Sequence, residues 1–301
     1  MEIIALAVQA ANVLVPDCVG KAVKAFGDST GLLWGPSSAQ QFWFQSPKEH
    51  VFQYLLALIV VALFYSVSKN FRVNAKAALS AKGAGWSTKC PINTLIAYIL
   101  LGCFLLQVYV KGSRSQPFIQ LGWLLMPCHL TTLTWVYIFL HDKPQHYGRN
   151  CYLASLLIDW FWAPISAVIA PDWSDHKFAF EPTVFYVHHG LLLLLPWYYA
   201  IRYHTMPLSR SHLLHSMWVP MLISFGLFTP YALLTGLNVN YMLYPPPLKG
   251  LPAVFTSPFY RFPFVAVQSI LNVFDNLIIR GVADVFCWVM NGMKRAKRKV
   301  A

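Results

Sequence analysis

The chain has 301 residues, of which 57% are hydrophobic and only 11% charged, with a formal net charge of +12. That charged share is about half of what an ordinary soluble domain carries, which excludes a water-soluble globular fold and leaves a protein that folds in lipid. The positive excess falls beside apolar runs, where it meets anionic headgroups, and gives no reason to expect nucleic acid as a partner.

From the amino terminus, residues 3–15 form an apolar start that carries Glu2 in place of a basic flank. This start is too short to cross a hydrocarbon core of about 30 Å and lacks the charge pattern of a signal peptide. An interfacial or re-entrant helix is expected there, within an amino-terminal lumenal or interfacial segment over 1–50. Seven longer apolar runs follow, at 51–68, 91–110, 118–140, 151–170, 182–201, 213–237 and 262–290. At a rise of about 1.5 Å per residue each is long enough to cross as a helix. Strands are disfavoured, because the runs lack the alternation of a barrel and lipid forces each backbone group to bond within its own segment. The expected fold is an all-α polytopic membrane bundle, with about seven transmembrane helices over 51–290 and a basic tail over 291–301.

Lys and Arg on alternate loops set the orientation. One side receives Lys69, Arg72, Lys76, Lys82, Lys89, Lys143, Arg149, Arg202, Arg210 and the tail lysines and arginines from Lys294 to Lys299. The other side holds Lys111, Arg114, Lys177, Lys249 and Arg261, with acidic Asp172, Asp175 and Glu181. The first side is expected to be cytoplasmic, which places the carboxyl terminus there and the amino terminus in the lumen. The ending Lys297-Arg298-Lys299-Val300-Ala301 fits the K-x-K-x-x retrieval pattern, which predicts the endoplasmic reticulum or Golgi; a plain polybasic tail on anionic lipid is the alternative.

Six cysteines are present, without a C-x-x-C pair, and Cys103, Cys128, Cys151 and Cys287 fall inside or at the edge of spans. This is neither a disulfide framework nor a cysteine-based zinc site. Ionisable groups within the apolar runs are few: His129, Asp159, His188, His189, Asp275, Arg280 and Asp284. Such groups are costly in lipid and turn toward a bundle interior or cavity. Arg280 and Asp284 lie one helical turn apart and can neutralise each other. Cys128 sits in the string Pro127-Cys128-His129-Leu130-Thr131-Thr132, about 15 Å along its run, and His189 lies about 12 Å along its own from the same side. A thiol and an imidazole at one depth are what a thiolate nucleophile and its base require. Two histidines bonded to helix backbones would give the same sequence.

At these residues the chain resembles the transmembrane protein 164 family. The strings are Met126-Pro127-Cys128-His129, Phe180-Glu181 leading to Phe185-Tyr186-Val187-His188-His189 and Pro196, Leu237-Asn238-Val239-Asn240-Tyr241-Met242-Leu243, and Pro258-Phe259-Tyr260-Arg261. The resemblance implies a cysteine-dependent phospholipid acyltransferase that moves a polyunsaturated chain, typically arachidonoyl, from a diacyl phospholipid to an ether lysophosphatidylethanolamine without coenzyme A. It places the nucleophile at Cys128 and the histidine that follows Tyr-Ile-Gln at His189. His188 stands where the family has glutamine, and Ala266-Val267 stands where a Gly-His pair is expected.

The chemistry so implied runs through an acyl-thioester on Cys128 with His189 as base. His129 and His188 are supporting residues, Glu181 or Asp159 orients the histidine, and Asn238 or Asn240 donates to the oxyanion or a phosphate. Capping of the sixth helix serves the two asparagines equally well. The partners are a phospholipid donor and a lysophospholipid acceptor, and no cofactor or metal is expected. Three other readings compete. A hydrolase similar to the androgen-induced type would use Thr131 or Thr132. A metal-dependent lipid oxidase would use histidine boxes, of which only His204, His212 and His215 offer a trace. A receptor or transporter would draw on helix kinks at Pro220 and Pro230, although no internal repeat is visible.

Overall fold

The computed structural model describes residues 2–29, 43–80, 90–171, 173, 176–203, 210–246 and 250–300, and the side chains of all of these except 3, 70–80, 144, 210–212 and 291–300. Lys82, Lys89, Asp172, Asp175, His204 and Lys249 lie outside the described residues, as do the side chains of Arg72, Lys76, Arg210, His212 and the tail cations. Every regular element among the described residues is helical: α1 Glu2–Leu14, α2 Asp17–Asp28, α3 Pro47–Ser80, α4 Pro91–Gly112, α5 Pro127–Leu140, α6 Tyr147–Asp159, α7 Trp162–Ile169, α8 Glu181–Arg202, α9 Arg210–Ile223, α10 Thr229–Thr235 and α11 Arg261–Val300, with short 3-10 and π turns between them.

Six helical stretches are long and apolar enough to cross a membrane: Pro47–Lys69, Pro91–Gly112, Tyr147–Ile169, Glu181–Arg202, Leu213–Thr235 and Arg261–Met290. They match six of the seven predicted runs. The remaining run, 118–140, is a bent pair, Pro117–Leu125 followed by Pro127–Leu140, turned by 66°. Met126 has φ −56° and ψ 146°, the extended conformation that a following proline imposes. The amino-terminal start is likewise a bent pair, Ile4–Leu14 and Asp17–Asp28 at 97°, joined to the chain that follows by Lys48, whose Nζ lies 2.5 Å from Asp17.

Local chemistry sets the helix starts. Ser46 Oγ accepts from Glu49 N at 3.3 Å and Glu49 Oε2 accepts from Ser46 N at 2.7 Å, a reciprocal capping box that opens α3 four residues before its predicted start. In the sixth span Pro230 cannot donate to a preceding carbonyl, and the π turn Ser224–Phe228 lies directly before it. The predicted kink at Pro230 is this π turn.

The helices gather into two compact units, residues 1–67, 108–126 and 217–269 in the first and 68–107, 127–216 and 270–301 in the second. In the first, Ala57 and Val61 of α3 pack on Trp218, Met221, Phe225 and Val265. Leu55, Ile59 and Leu63, spaced one turn apart on α3, are exposed, an arrangement suited to lipid. The same unit holds Gln53, near the start of the first span, against Arg261, which begins the last. Those two starts therefore share a membrane face, so the number of crossings from first to last is odd. Among the described residues six straight helices meet the test for a span, and the bent pair Pro117–Leu140 adds a further one only when its two halves are taken together.

In the second unit the core is Trp135, Val136, Ile138 and Phe139 of α5, Ala154 and Leu157 of α6, and Leu192, Leu195 and Tyr199 of α8, with Ala97 and Leu100 of α4. The fourth span breaks between α6 and α7, where Asp275 Oδ2 accepts the Trp162 N–H at 2.6 Å and so caps α7. Arg280 donates to Asn276 at 2.5 Å and is flanked by the charges of Asp159 and Asp284, which extends the predicted Arg280–Asp284 pair into a network.

Candidate functional site

All four residues of the predicted Cys/His group, Cys128, His129, His188 and His189, lie in the second unit. Pro127 opens α5, so Cys128 stands in the first turn of a new helix rather than midway along a continuous one, and its depth cannot be read from a straight rise. Its sulfur lies against the backbone N–H groups of Cys128 and His129, which belong to the helix turn that has no internal carbonyl partners. Cys128 is half-buried, whereas Thr131 and Thr132 are buried.

Thr131 and Thr132 both donate to the Cys128 carbonyl, at 2.9 and 2.7 Å. Thr132 Oγ1 also contacts His188 Nε2 in a short hydrogen bond. With its one proton on the Cys128 carbonyl, Thr132 accepts from His188, which fixes the imidazole as an Nε2–H tautomer. The His188 ring stacks on that of His129 with centroids 5.4 Å apart, and His129 meets the edge of Phe104 at 6.0 Å.

His189 is held differently. Its Nδ1–H donates to the Phe185 carbonyl at 2.9 Å, one turn back on α8, and its ring lies 4.0 Å from that of Phe185 and 4.9 Å from that of His188. A donor fixed at Nδ1 leaves Nε2 as the basic nitrogen. Among the described residues no hydrogen bond joins the Cys128 sulfur to either histidine.

The other predicted supporting residues have structural partners. Glu181 accepts from the N–H groups of Lys177 and Phe178 at 2.8 and 2.9 Å and lies 3.9 Å from His176, so its carboxylate closes the turn that starts α8. Asp159 accepts from Asn276 at the α6–α7 break. In the first unit, Asn238 Oδ1 accepts from Leu243 N at 2.8 Å and Tyr244 N at 3.2 Å while Nδ2 donates to Tyr244 O at 3.0 Å, which staples the loop after α10. Asn238 therefore holds the turn toward Pro245-Pro246-Pro247 and does not cap the sixth helix. The backbone N–H of Asn240 meets the sulfur of Met126 at 3.4 Å, and its own φ of 49° is left-handed.

His215, from the predicted H-x-x-H pair, accepts a bond from Tyr152 at 3.0 Å or donates one to it. Among the described residues no three His, Cys, Asp or Glu side chains are gathered as metal ligands. What sequence reasoning missed is the role of Thr132 as the link between the Cys128 turn and His188. The i, i+4 spacing of Cys128 and Thr132 was visible, but the facing of two helices was not.

Fold and site together define an integral membrane protein of helical type with a thiol and a histidine cluster on facing helices. A family model described as the TMEM164 family matches residues 44–275, and the chain belongs to that family. That range contains Cys128, His129, Asp159, Glu181, His188, His189, Asn238 and Asn240. The chain is similar to the Transmembrane protein 164 homolog of Dictyostelium discoideum, with 29% identity over 183 residues, 60% of this chain. The match spans 63% of that relative's length. No solved structure matches the chain.

Proposed function

We propose that this protein is a coenzyme-A-independent phospholipid acyltransferase working through an acyl-thioester on Cys128. The observation that carries the reading is the contrast in one helical turn: Cys128 is half-buried, while the two hydroxyls beside it are buried and bonded to its carbonyl. His189, with Nε2 as its basic atom, takes the thiol proton. The thiolate attacks the ester carbonyl of a donor phospholipid, the ester C–O bond breaks, and the leaving lysophospholipid oxygen recovers the proton from His189. An acceptor hydroxyl then gives its proton to His189 and attacks the thioester, the C–S bond breaks, and the sulfur is reprotonated. Cys128 and His189 must close to hydrogen-bond distance for the first step, a tightening that accompanies substrate binding in many enzymes.

The family resemblance supports a polyunsaturated donor chain and an ether lysophosphatidylethanolamine acceptor. The loop charges support a cytoplasmic carboxyl terminus, and the K-x-K-x-x ending supports residence in the endoplasmic reticulum or Golgi. The test is labelling: wild type incubated with radiolabelled donor and no acceptor should acquire a hydroxylamine-sensitive label on the Cys128 peptide, and Cys128→Ser should acquire none. Undiminished transfer by Cys128→Ser refutes the mechanism.

One contact favours a second reading. Thr132 and His188 are in hydrogen-bond contact, and they would serve as nucleophile and base of an androgen-induced-type hydrolase once Thr132 turned its proton from the Cys128 carbonyl to an unprotonated His188 Nε2. In that case the label is on Thr132 and resists neutral hydroxylamine.

A further inference from the structure

The first unit holds a buried cation that meets no counter-charge among the described residues. Arg261 is 0% exposed, and its guanidinium donates through Nε to the Met242 carbonyl at 2.8 Å, through Nη2 to the same carbonyl, and through Nη1 to Gln53 Oε1 at 3.5 Å. Both acceptors are neutral. Glu49, the carboxylate one turn before Gln53 on α3, is occupied by the Ser46 N–H instead. A guanidinium has five N–H donors in a planar fork that fits a phosphate or carboxylate, and the Met242 carbonyl, Gln53 and the neighbouring Tyr260 hydroxyl do not supply it with an anion.

His50 is the independent observation. It lies one turn before Gln53 on the same face of α3, is 2% exposed, and neither of its ring nitrogens has a hydrogen-bond partner among the described residues. Buried imidazoles are ordinarily bonded through at least one nitrogen, so an orphaned one beside an unneutralised arginine describes a place where a ligand is expected. The charge of Arg261 reaches His50, which places the two groups together. Strain marks the same spot: Asn240 and Tyr241 hold φ of 49° and 59°, and the carbonyls of Tyr241 and Met242 are held by Tyr260 and Arg261. Consecutive left-handed residues without glycine persist only where surrounding contacts enforce them, often at ligand sites.

We propose that Arg261 and His50 bind a phosphate, that of a phospholipid headgroup, at the membrane face where α3 and α11 begin. The choice of a lipid phosphate rests on the phospholipid reading above; the anion chemistry does not. Both helices start at this face, which is the depth of headgroups. Residues Trp43 to Ser46 run beside the site, with Trp43 against His50, Phe44 against Tyr260 and Gln45 bonded to the Pro258 carbonyl, so a headgroup reaches Arg261 only when this strap shifts. Gln45 Oε1, also buried and unpartnered, is an acceptor and suits the headgroup's own N–H donors rather than its phosphate.

The experiment uses purified Cys128→Ser, which lacks the thiol of the proposed acyl-enzyme and is read by binding alone, so failure of the acyl-enzyme mechanism leaves the measurement intact. Thermal unfolding in detergent is followed against dioleoyl phosphatidylethanolamine, dioleoylglycerol and inorganic phosphate. Phosphatidylethanolamine should stabilise and dioleoylglycerol should not. Adding Arg261→Gln or His50→Leu should weaken the phosphatidylethanolamine response at least tenfold. His50→Leu removes no hydrogen bond and so keeps the fold, which guards against loss of binding by unfolding. Equal responses to the two lipids, or a His50→Leu response equal to that of its parent, would overturn the proposal. A response to inorganic phosphate with none to phosphatidylethanolamine would overturn the headgroup assignment.

Discussion

Replacing Thr132 by valine separates the two nucleophiles at the site. Valine matches threonine in volume, so no cavity opens, and Thr132 is 0% exposed, so water cannot take the place of the lost hydroxyl. Two contacts disappear. The Cys128 carbonyl keeps Thr131 as a donor at 2.9 Å and stays satisfied, but His188 Nε2 loses its partner. An orphaned buried polar group costs about 1–3 kcal/mol, and the variant should be destabilised by that amount in thermal unfolding. Transfer should persist, because Cys128 and His189 are untouched. If about 1.4 kcal/mol of the loss is felt in the acylation barrier through a loosened His188, the rate falls roughly tenfold. Single-turnover labelling with radiolabelled donor lipid measures both quantities: the label should remain on Cys128, with a slower rise. Complete loss of labelling in a folded Thr132→Val protein would refute the thiol mechanism and establish the threonine one.

His189→Gln should slow acylation about a hundredfold to ten-thousandfold, the usual worth of a positioned base, with His188→Gln costing less; equal losses in single-turnover assays would remove the distinction between the two rings. Gly122→Ala should destabilise the protein by about 1–3 kcal/mol, because a β-carbon there comes within 2.2 Å of the Tyr231 hydroxyl and 2.3 Å of its ring, and Tyr231→Leu in the same chain should recover part of the loss in thermal unfolding. Asp142 lies between spans, where burial raises its carboxyl above the ordinary value of 3.8 against the lowering by its bonds to Asn93 and Tyr203. Because the folded state then holds this proton to higher pH than the unfolded chain does, stability is full below 3.8 and declines as pH rises through the folded value. Asp142→Asn should flatten that slope in unfolding midpoints measured across it.

The spans were legible because lipid makes one demand, a long apolar run, and composition reports it directly. Their interruptions were not. Hydropathy is continuous across Met126 and Pro127, yet the conformation of Met126 turns the chain by 66°. The start of α3 was missed by four residues because Ser46 and Glu49 act through a polar capping box that an apolar window overlooks. At the site, the bond between His189 and the Phe185 carbonyl is local, four residues along one helix, and follows from spacing. The link between Thr132 and His188 depends on the rotational setting of two helices that are 56 residues apart in the chain, and no local pattern encodes it. Asn238 shows the same limit in reverse: a polar residue near a helix end fits a catalytic donor or a loop staple equally well until its three partners, all within six residues, are known.

The break at Pro127 also bears on the proposed role of Cys128. In an uninterrupted helix the amides of residues 128 and 129 would be bound to carbonyls one turn earlier. Starting a new helix at Pro127 leaves the amides of its first turn without internal acceptors. Two of them then face the Cys128 sulfur. They are donors that need no side chain, lie in a membrane span where polar side chains are costly, and are oriented before any lipid arrives. The same turn gives its Cys128 carbonyl to Thr131 and Thr132, so the residue proposed to carry the nucleophile is tied down through its backbone. His188 is tied to Thr132 through Nε2 and His189 to Phe185 through Nδ1, which leaves Nδ1 of His188 and Nε2 of His189 as the nitrogens in the form that accepts a proton. The division of labour between the two neighbouring histidines follows from which nitrogen each has already committed.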